Sequence, residues 1–311
     1  MERDEVIFRD SFGGLLSVLI TLSPGEVTTM QAPAPLLKQV MRGAPLSSLA
    51  DVVRSHFSNS TTVFNSSLSI WFEDALTLKP LRSDWPCGHV KDLIDYSDQE
   101  EHDDLAFETK RRPWHIIVHF KNQPDGALPF SLRNGTDAQV GFDPSCCGLL
   151  YTIFLSQKSF FETFKQSTYL RYGSGKPALV LSAEEQSRLW DGLRQASYSE
   201  AFVTMSRSET IARDSNLPPL RVPVRFFVAT PGKPPLQRYI QRPLECDERT
   251  LQQTAAELFG DREGTFRVNG ITVAPETPLQ WLHAHMPAAD GFLYVTLVLP
   301  TPLQRDGDSV D

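Results

Sequence analysis

Apolar positions along this chain follow two spacings, and the switches between them lay out its elements. Residues 15–22, "LLSVLITL", form an unbroken apolar run closed by Ser-Pro-Gly, which predicts a buried strand. A second extended segment is expected over 34–41. Over 45–57, Leu46, Leu49, Val52, Val53 and Phe57 recur at helical spacing. "LSIWFED" (68–74) predicts a strand, and "WPCGHVKDLI" (85–94) a short helix with Pro86 in its first turn. "WHIIVHF" (114–120) is a strand with Trp114, Ile116, Val118 and Phe120 on one face.

The last third of the chain gives the same order. "VPVRFFVA" (222–229) and "LQRYIQRPL" (236–244) predict two strands about a Pro/Gly turn, and "TLQQTAAELFG" (250–260) a helix closed by Gly260. Extended segments flank an Asn-Gly turn in "TFRVNGITV" (265–273), followed by a short helix at 277–285 and a strand at 291–299. Strand, strand, helix, strand, short helix, strand is the β-grasp order of ubiquitin, in which the last strand pairs in the middle of the sheet. Its occurrence twice predicts an α+β chain of two ubiquitin-like β-grasp domains flanking a helix-rich domain. The expected divisions are 1–121, a linker at 122–145, helices over 146–212, the second domain at 219–301, and a disordered acidic tail at 302–311. In the helical part, Leu150, Ile153, Phe154, Phe160, Phe161 and Phe164 make an apolar stripe, and the helix should end near Tyr172-Gly173. Ser182 with Glu185 fits a capping box ahead of Leu189, Trp190 and Leu193. Residues 97–112 are charged and predict a surface loop.

Charge narrows the function. The formal net charge is −8 across 311 residues, the wrong sign for gripping nucleic-acid phosphates. No run of eighteen apolar residues suggests a membrane span, and "MERDEVIFRD" lacks the apolar core of a secretory signal, so a cytoplasmic chain is expected. The sequons at Asn59, Asn65 and Asn134 then read as loop sequence. Cys87, Cys146, Cys147 and Cys246 form no CxxC pair and no zinc spacing, so free thiols are expected. The adjacent Cys146 and Cys147 at a helix start could supply a nucleophile, but a buried apolar pair fits better. His115 and His119 share one strand face, where two polar rings are a simpler reading than two metal ligands. His283 and His285, two apart on a short helix, point away from each other. No GxSxG, HExxH or phosphate-binding glycine loop occurs, and no cofactor or metal is implied.

Several segments, in order, resemble the autophagy protein 5 family: "RDSFGG" (9–14), "IWFED" (70–74) followed by "WPCGHVKDLI", "RPWHIIVHFKNQP" (112–124), "RLWDGL" (188–193), "IQRPL" (240–244), "TPLQWL" (277–282) and "GFLYVTLVLPTP" (291–302). The resemblance implies a substrate and scaffold rather than an enzyme. Family members accept the C-terminal glycine of autophagy protein 12 on one lysine and hold the coiled coil of autophagy protein 16. The assembly acts like a ligase, bringing autophagy protein 3 to preautophagosomal membranes to join autophagy protein 8 to phosphatidylethanolamine. The acceptor position falls on Lys165 in "FETFKQSTYLRYGSGKP" (161–177), with Lys158 the runner-up and Lys176 third. Phe12 and the Pro86–Gly88 turn are the expected partner groove. Membrane contact is expected to be peripheral.

The chemistry suits a helical lysine. An isopeptide bond needs a neutral amine, and at an ordinary pKa near 10.4 only roughly one lysine in a few thousand is neutral at pH 7. The conjugating enzyme must supply deprotonation and positioning, while the acceptor presents the amine on a rigid helix. One alternative is the same scaffold with a non-covalent modifier complex; another is an enzyme using Cys146 or Cys147.

Overall fold

The computed structural model describes residues 3–61, 70–97, 113–122, 124, 148–230, 238–245 and 248–300; of 96–97, 148–156 and 238–244 only the backbone is described. The expected disordered tail, the loop beyond residue 97 and nearly all of the expected linker lie outside these residues.

An N-terminal helix α1 (Glu5–Phe12) is capped by the Asp4 carboxylate, which accepts from the Val6 and Ile7 amides. The first β-grasp domain follows. It comprises β1 (Leu15–Leu22), β2 (Leu36–Met41), α2 (Ala50–Phe57), β3 (Trp71–Asp74), α3 (Cys87–Ser97) and β4 (Trp114–His119). Its sheet order is β2-β1-β4-β3, with β4 parallel to β1 and antiparallel to β3. The alternation predicted for 114–120 holds: Trp114, Ile116, Val118 and Phe120 all enter the core. Pro86 sits just before α3, its carbonyl taking the Val90 amide, because a residue without an N–H is tolerated where no helical donor is needed.

The helical domain contains α4 (Gly148–Tyr172), α5 (Lys176–Leu179), α6 (Ala183–Gln195) and α7 (Tyr198–Asp214). The Ser182–Glu185 capping box is present at α6. Gly192 is needed where α6 meets α7, since a Cβ there would lie 2.7 Å from the Ala201 amide nitrogen. The second β-grasp domain comprises β5 (Arg221–Ala229), β6 (Arg238–Glu245), α8 (Leu251–Phe259), β7 (Thr265–Val268), β8 (Ile271–Val273), α9 (Leu279–His285) and β9 (Leu293–Val298), in sheet order β6-β5-β9-β7-β8. Asn269 and Gly270 both take positive φ (50° and 80°), the pair of left-handed residues that a tight β7–β8 hairpin requires.

The domains are welded through one face of this second sheet. Val222, Val224, Phe226 and Val228 on β5, with Leu293, Val295 and Leu297 on β9, fill the second domain's own core. The intervening residues should face water in a lone domain. Instead Phe227, Ala229, Tyr294 and Val298 join the core of the first domain. Trp85 and His89 pack on Phe227 at ring distances of 5.0 and 4.2 Å. In the same layer Arg225 is paired with Tyr294 across the parallel ladder and donates to its hydroxyl. That hydroxyl donates to Asp290 Oδ2 at 2.7 Å, and the guanidinium lies 4.0 Å from the Phe292 ring centroid.

Removing one member of this buried charge cluster strands the other. Asp290→Ala is expected to cost about 3–5 kcal/mol, and Tyr294→Phe about 1–3 kcal/mol, both read as lower urea midpoints. A pH dependence follows from two buried histidines. Burial, reinforced by Arg225 and Arg42, pushes His89 down to about 3, and burial holds His283 well below 6.5. Below pH 6.5 the unfolded chain takes protons that the folded chain refuses, so stability falls as pH drops. Between pH 7.5 and 5.5 the expected loss is about 1.4 kcal/mol for each of these two, added to by His119, which desolvation also lowers. His283→Gln should remove its own share of about 1.4 kcal/mol in urea titrations at the two pH values.

Candidate functional site

α4 is apolar on one side only over its last four turns. Phe160, Phe161, Phe164, Ser167, Thr168 and Tyr172 are buried, while Glu162, Gln166 and Tyr169 are exposed. Lys165 lies at the boundary. Its side chain is 38% exposed, and its Nζ is 3.7 Å from Glu162, one turn earlier and itself exposed. Such a pair is screened and contributes under about 1 kcal/mol, so it does not lock the amine. Lys158 lies two turns back on the same helix, and Lys176 is exposed at the start of α5 beyond the Gly173 turn. Gly173 closes α4 with φ +66°.

The helix under Lys165 is anchored. Ser167 Oγ lies within hydrogen-bond distance of the Phe164 carbonyl, its own helix partner, and of the Asp290 carbonyl in the second β-grasp domain. Its single proton serves one of them at a time. A Cβ on Gly291 would lie 2.5 Å from this hydroxyl, so α4 meets backbone directly there, and the left-handed φ of +79° is a second reason for glycine. His283 Nε2 holds the Gly291 carbonyl at 3.0 Å. The same loop reaches the first domain, where the Ala289 amide donates to the Gly43 carbonyl. The segment 287–292 therefore joins all three domains, through a helix contact two residues from Lys165.

The expected partner groove is distributed differently. Phe12 is 0% exposed, stacked on Phe8 and edge-on to Tyr198, so it lines no open groove. Pro86 and Gly88 are also buried. Arg42 covers Gly88, pairs with Asp92 at 2.6 Å, and reaches the hairpin of the second domain, where a Cβ on Gly270 would lie 2.3 Å from Nη2. The Arg42 amide donates to Gly14, just after α1, and its carbonyl accepts from Gly88. Arg42 thus links the end of α1, the start of α3 and the β7–β8 turn, a role the sequence analysis missed. The available signal was the Arg-Gly pair directly after an apolar strand.

The other chemistry-bearing residues are separated. His115 takes Thr21 at 3.0 Å, while His119 stacks on Trp71 and turns its two ring nitrogens to different carboxylates, Glu26 and Glu73, each 3.7 Å away. Among the described residues no group of three His, Cys, Asp or Glu side chains could hold a metal. Cys87 is buried and its thiol is pushed up to about 12 by desolvation. Cys146, Cys147 and Cys246 lie outside the described residues.

Three family models match along the chain: the UblA domain of autophagy protein ATG5 over residues 11–120, its alpha-helical bundle region over 156–207, and its UblB domain over 221–297. The chain belongs to the autophagy protein 5 family. Its role lies in autophagy. The autophagy protein 5 of Aspergillus terreus is 28% identical over 284 residues, covering 88% of this chain and 79% of that one. The Drosophila melanogaster protein is 22% identical over 305 residues, covering 96% and 98%. The crystal structure of Kluyveromyces marxianus Atg5 superposes with a TM-score of 0.67 at 17% identity, covering 94% of this chain and all of that one, which shows a shared fold. The family's UblA, helical bundle and UblB divisions correspond to the two β-grasp sheets and the helices between them.

Gly88→Ala would set a methyl 2.8 Å from Arg42 Cβ. It is expected to cost about 1–3 kcal/mol by overpacking, measured as a lower urea midpoint. Gly25→Ala, where a Cβ meets nothing within 4 Å, serves as the neutral control.

Proposed function

We propose that this chain is a non-catalytic conjugation scaffold whose Lys165 accepts autophagy protein 12. The observation that carries this reading is the placement of Lys165: a partly exposed amine, two residues from the Ser167–Asp290 contact that fixes α4 to the second β-grasp domain. In the reaction the lysine nitrogen attacks the thioester carbonyl of the charged modifier. The C–N bond forms, the C–S bond breaks, and the enzyme's thiolate leaves. Glu162 is the one carboxylate in ion-pair contact with Lys165 among the described residues, and it is exposed, so the conjugating enzyme supplies the base.

The finer partners belong to the same proposal. The coiled coil of autophagy protein 16 packs where α1, α3 and the β7–β8 hairpin converge on Arg42. The complex brings autophagy protein 3 to preautophagosomal membranes, where autophagy protein 8 is joined to phosphatidylethanolamine. The chain is cytoplasmic and reaches the membrane peripherally. No helix among the described residues is long and apolar enough to cross a membrane.

An immunoblot from the source cells under reducing, denaturing conditions tests the acceptor. The wild type should show a band heavier by one modifier, Lys165→Arg should lose it, and Lys158→Arg and Lys176→Arg should keep it. Free mass in every lane, with the modifier still co-purifying under native conditions, would assign a non-covalent complex.

A further inference from the structure

A cleft of about 740 Å³ opens at the far end of α1, where the C-terminal ends of α4 and α7 meet the linker into β5. Three arginines reach it: Arg3, Arg171 and Arg213. Arg3 is committed, pairing with Glu209 and donating to the Ala284 carbonyl at 3.0 Å. Arg171 lies over the Tyr172 ring at 5.2 Å, and neither it nor Arg213 has a carboxylate partner among the described residues. Tyr172 is only 9% exposed, yet its hydroxyl makes no hydrogen bond with a described residue. Burial raises its pKa, which keeps the hydroxyl a donor.

The guanidinium groups of Arg171 and Arg213 can only donate, and the protonated Tyr172 hydroxyl can donate beside them. The other wall, Leu217 to Pro219, is apolar and held against α4 by the Leu220 amide on the Arg171 carbonyl at 2.7 Å. Glu5 and Glu209 also line the cleft, so the three arginines exceed the carboxylates by a single charge. That balance suits a monoanionic carboxylate better than a phosphate dianion, which the two glutamates repel. The volume is that of a small-ligand or peptide site, well beyond one anion.

We propose that this cleft binds a peptide segment of a protein partner, taking an acidic side chain on Arg171, Arg213 and Tyr172 and a neighbouring apolar side chain against Leu217–Pro219. The proposal is independent of conjugation at Lys165. The test pans a random dodecapeptide display library on the full chain and measures the selected peptides by fluorescence anisotropy. Selected peptides should carry Asp or Glu beside an aromatic or aliphatic residue. Their affinity should fall about tenfold on Arg171→Gln/Arg213→Gln, the sum of two partly exposed charge contacts, and by a similar factor when the peptide acid is changed to its amide. Arg171→Lys/Arg213→Lys should retain most of the binding, and thermal melting confirms that each variant is folded. Peptides without acidic enrichment, or equal affinity for the folded Gln variant, would overturn the proposal. So would displacement of the peptide by micromolar inorganic phosphate, which would make the cleft a phosphate site.

Discussion

The arrangement of this molecule depends on burying both faces of a sheet that, in a lone β-grasp domain, would show one face to water. β5 and β9 are apolar on each side. The second side is closed by α3 of the first domain and by α4. Fully burying side chains such as Phe227 stabilises the junction by about 1.5–3 kcal/mol each. A separated second domain would expose them. Arg225 in the middle of that layer is tolerable only because Tyr294, Asp290 and the Phe292 face satisfy it, so the polar cluster fixes how the two domains dock while the aromatic residues supply most of the attraction.

Much of the fold was legible because ladder and helix periods are local. The Trp114–Phe120 alternation, the Asn269-Gly270 turn and the Ser182–Glu185 box each act within a few residues, and each was read from spacing alone. The two β-grasp orders were legible for the same reason. What spacing cannot tell is which partner covers a buried face. β5 reads as a strand with one stray arginine, and nothing local announces that Arg225 meets Asp290 sixty-five positions later. Phe12, expected as groove lining, is buried, stacked on Phe8 one turn back. Its further partners, Tyr198 and the α4–α7 cluster, lie far along the chain, where spacing gives no sign of them.

The candidate acceptor was reached in a different way. Lys165 was placed by ordered motifs from one end of the chain to the other, since no periodicity distinguishes one helical lysine from another. Its boundary position between buried and exposed helix faces agrees with the stripe of Phe160, Phe161 and Phe164. The anchor beneath it was not legible. Ser167 looks like an unremarkable polar residue in a helix, and only Gly291, which leaves room for its hydroxyl, shows why a small polar side chain stands there.

The Ser167–Gly291 contact has a geometric consequence for anything attached nearby. Because α4 meets the backbone of the 287–292 loop through the short Ser167 side chain, helix and loop cannot shift against each other without breaking that contact. A cargo tethered at Lys165 would then have the lysine's own torsions and its own tail as its slack. The scaffold would behave as a gantry, setting the bearing of its load relative to both β-grasp domains before any further component arrives.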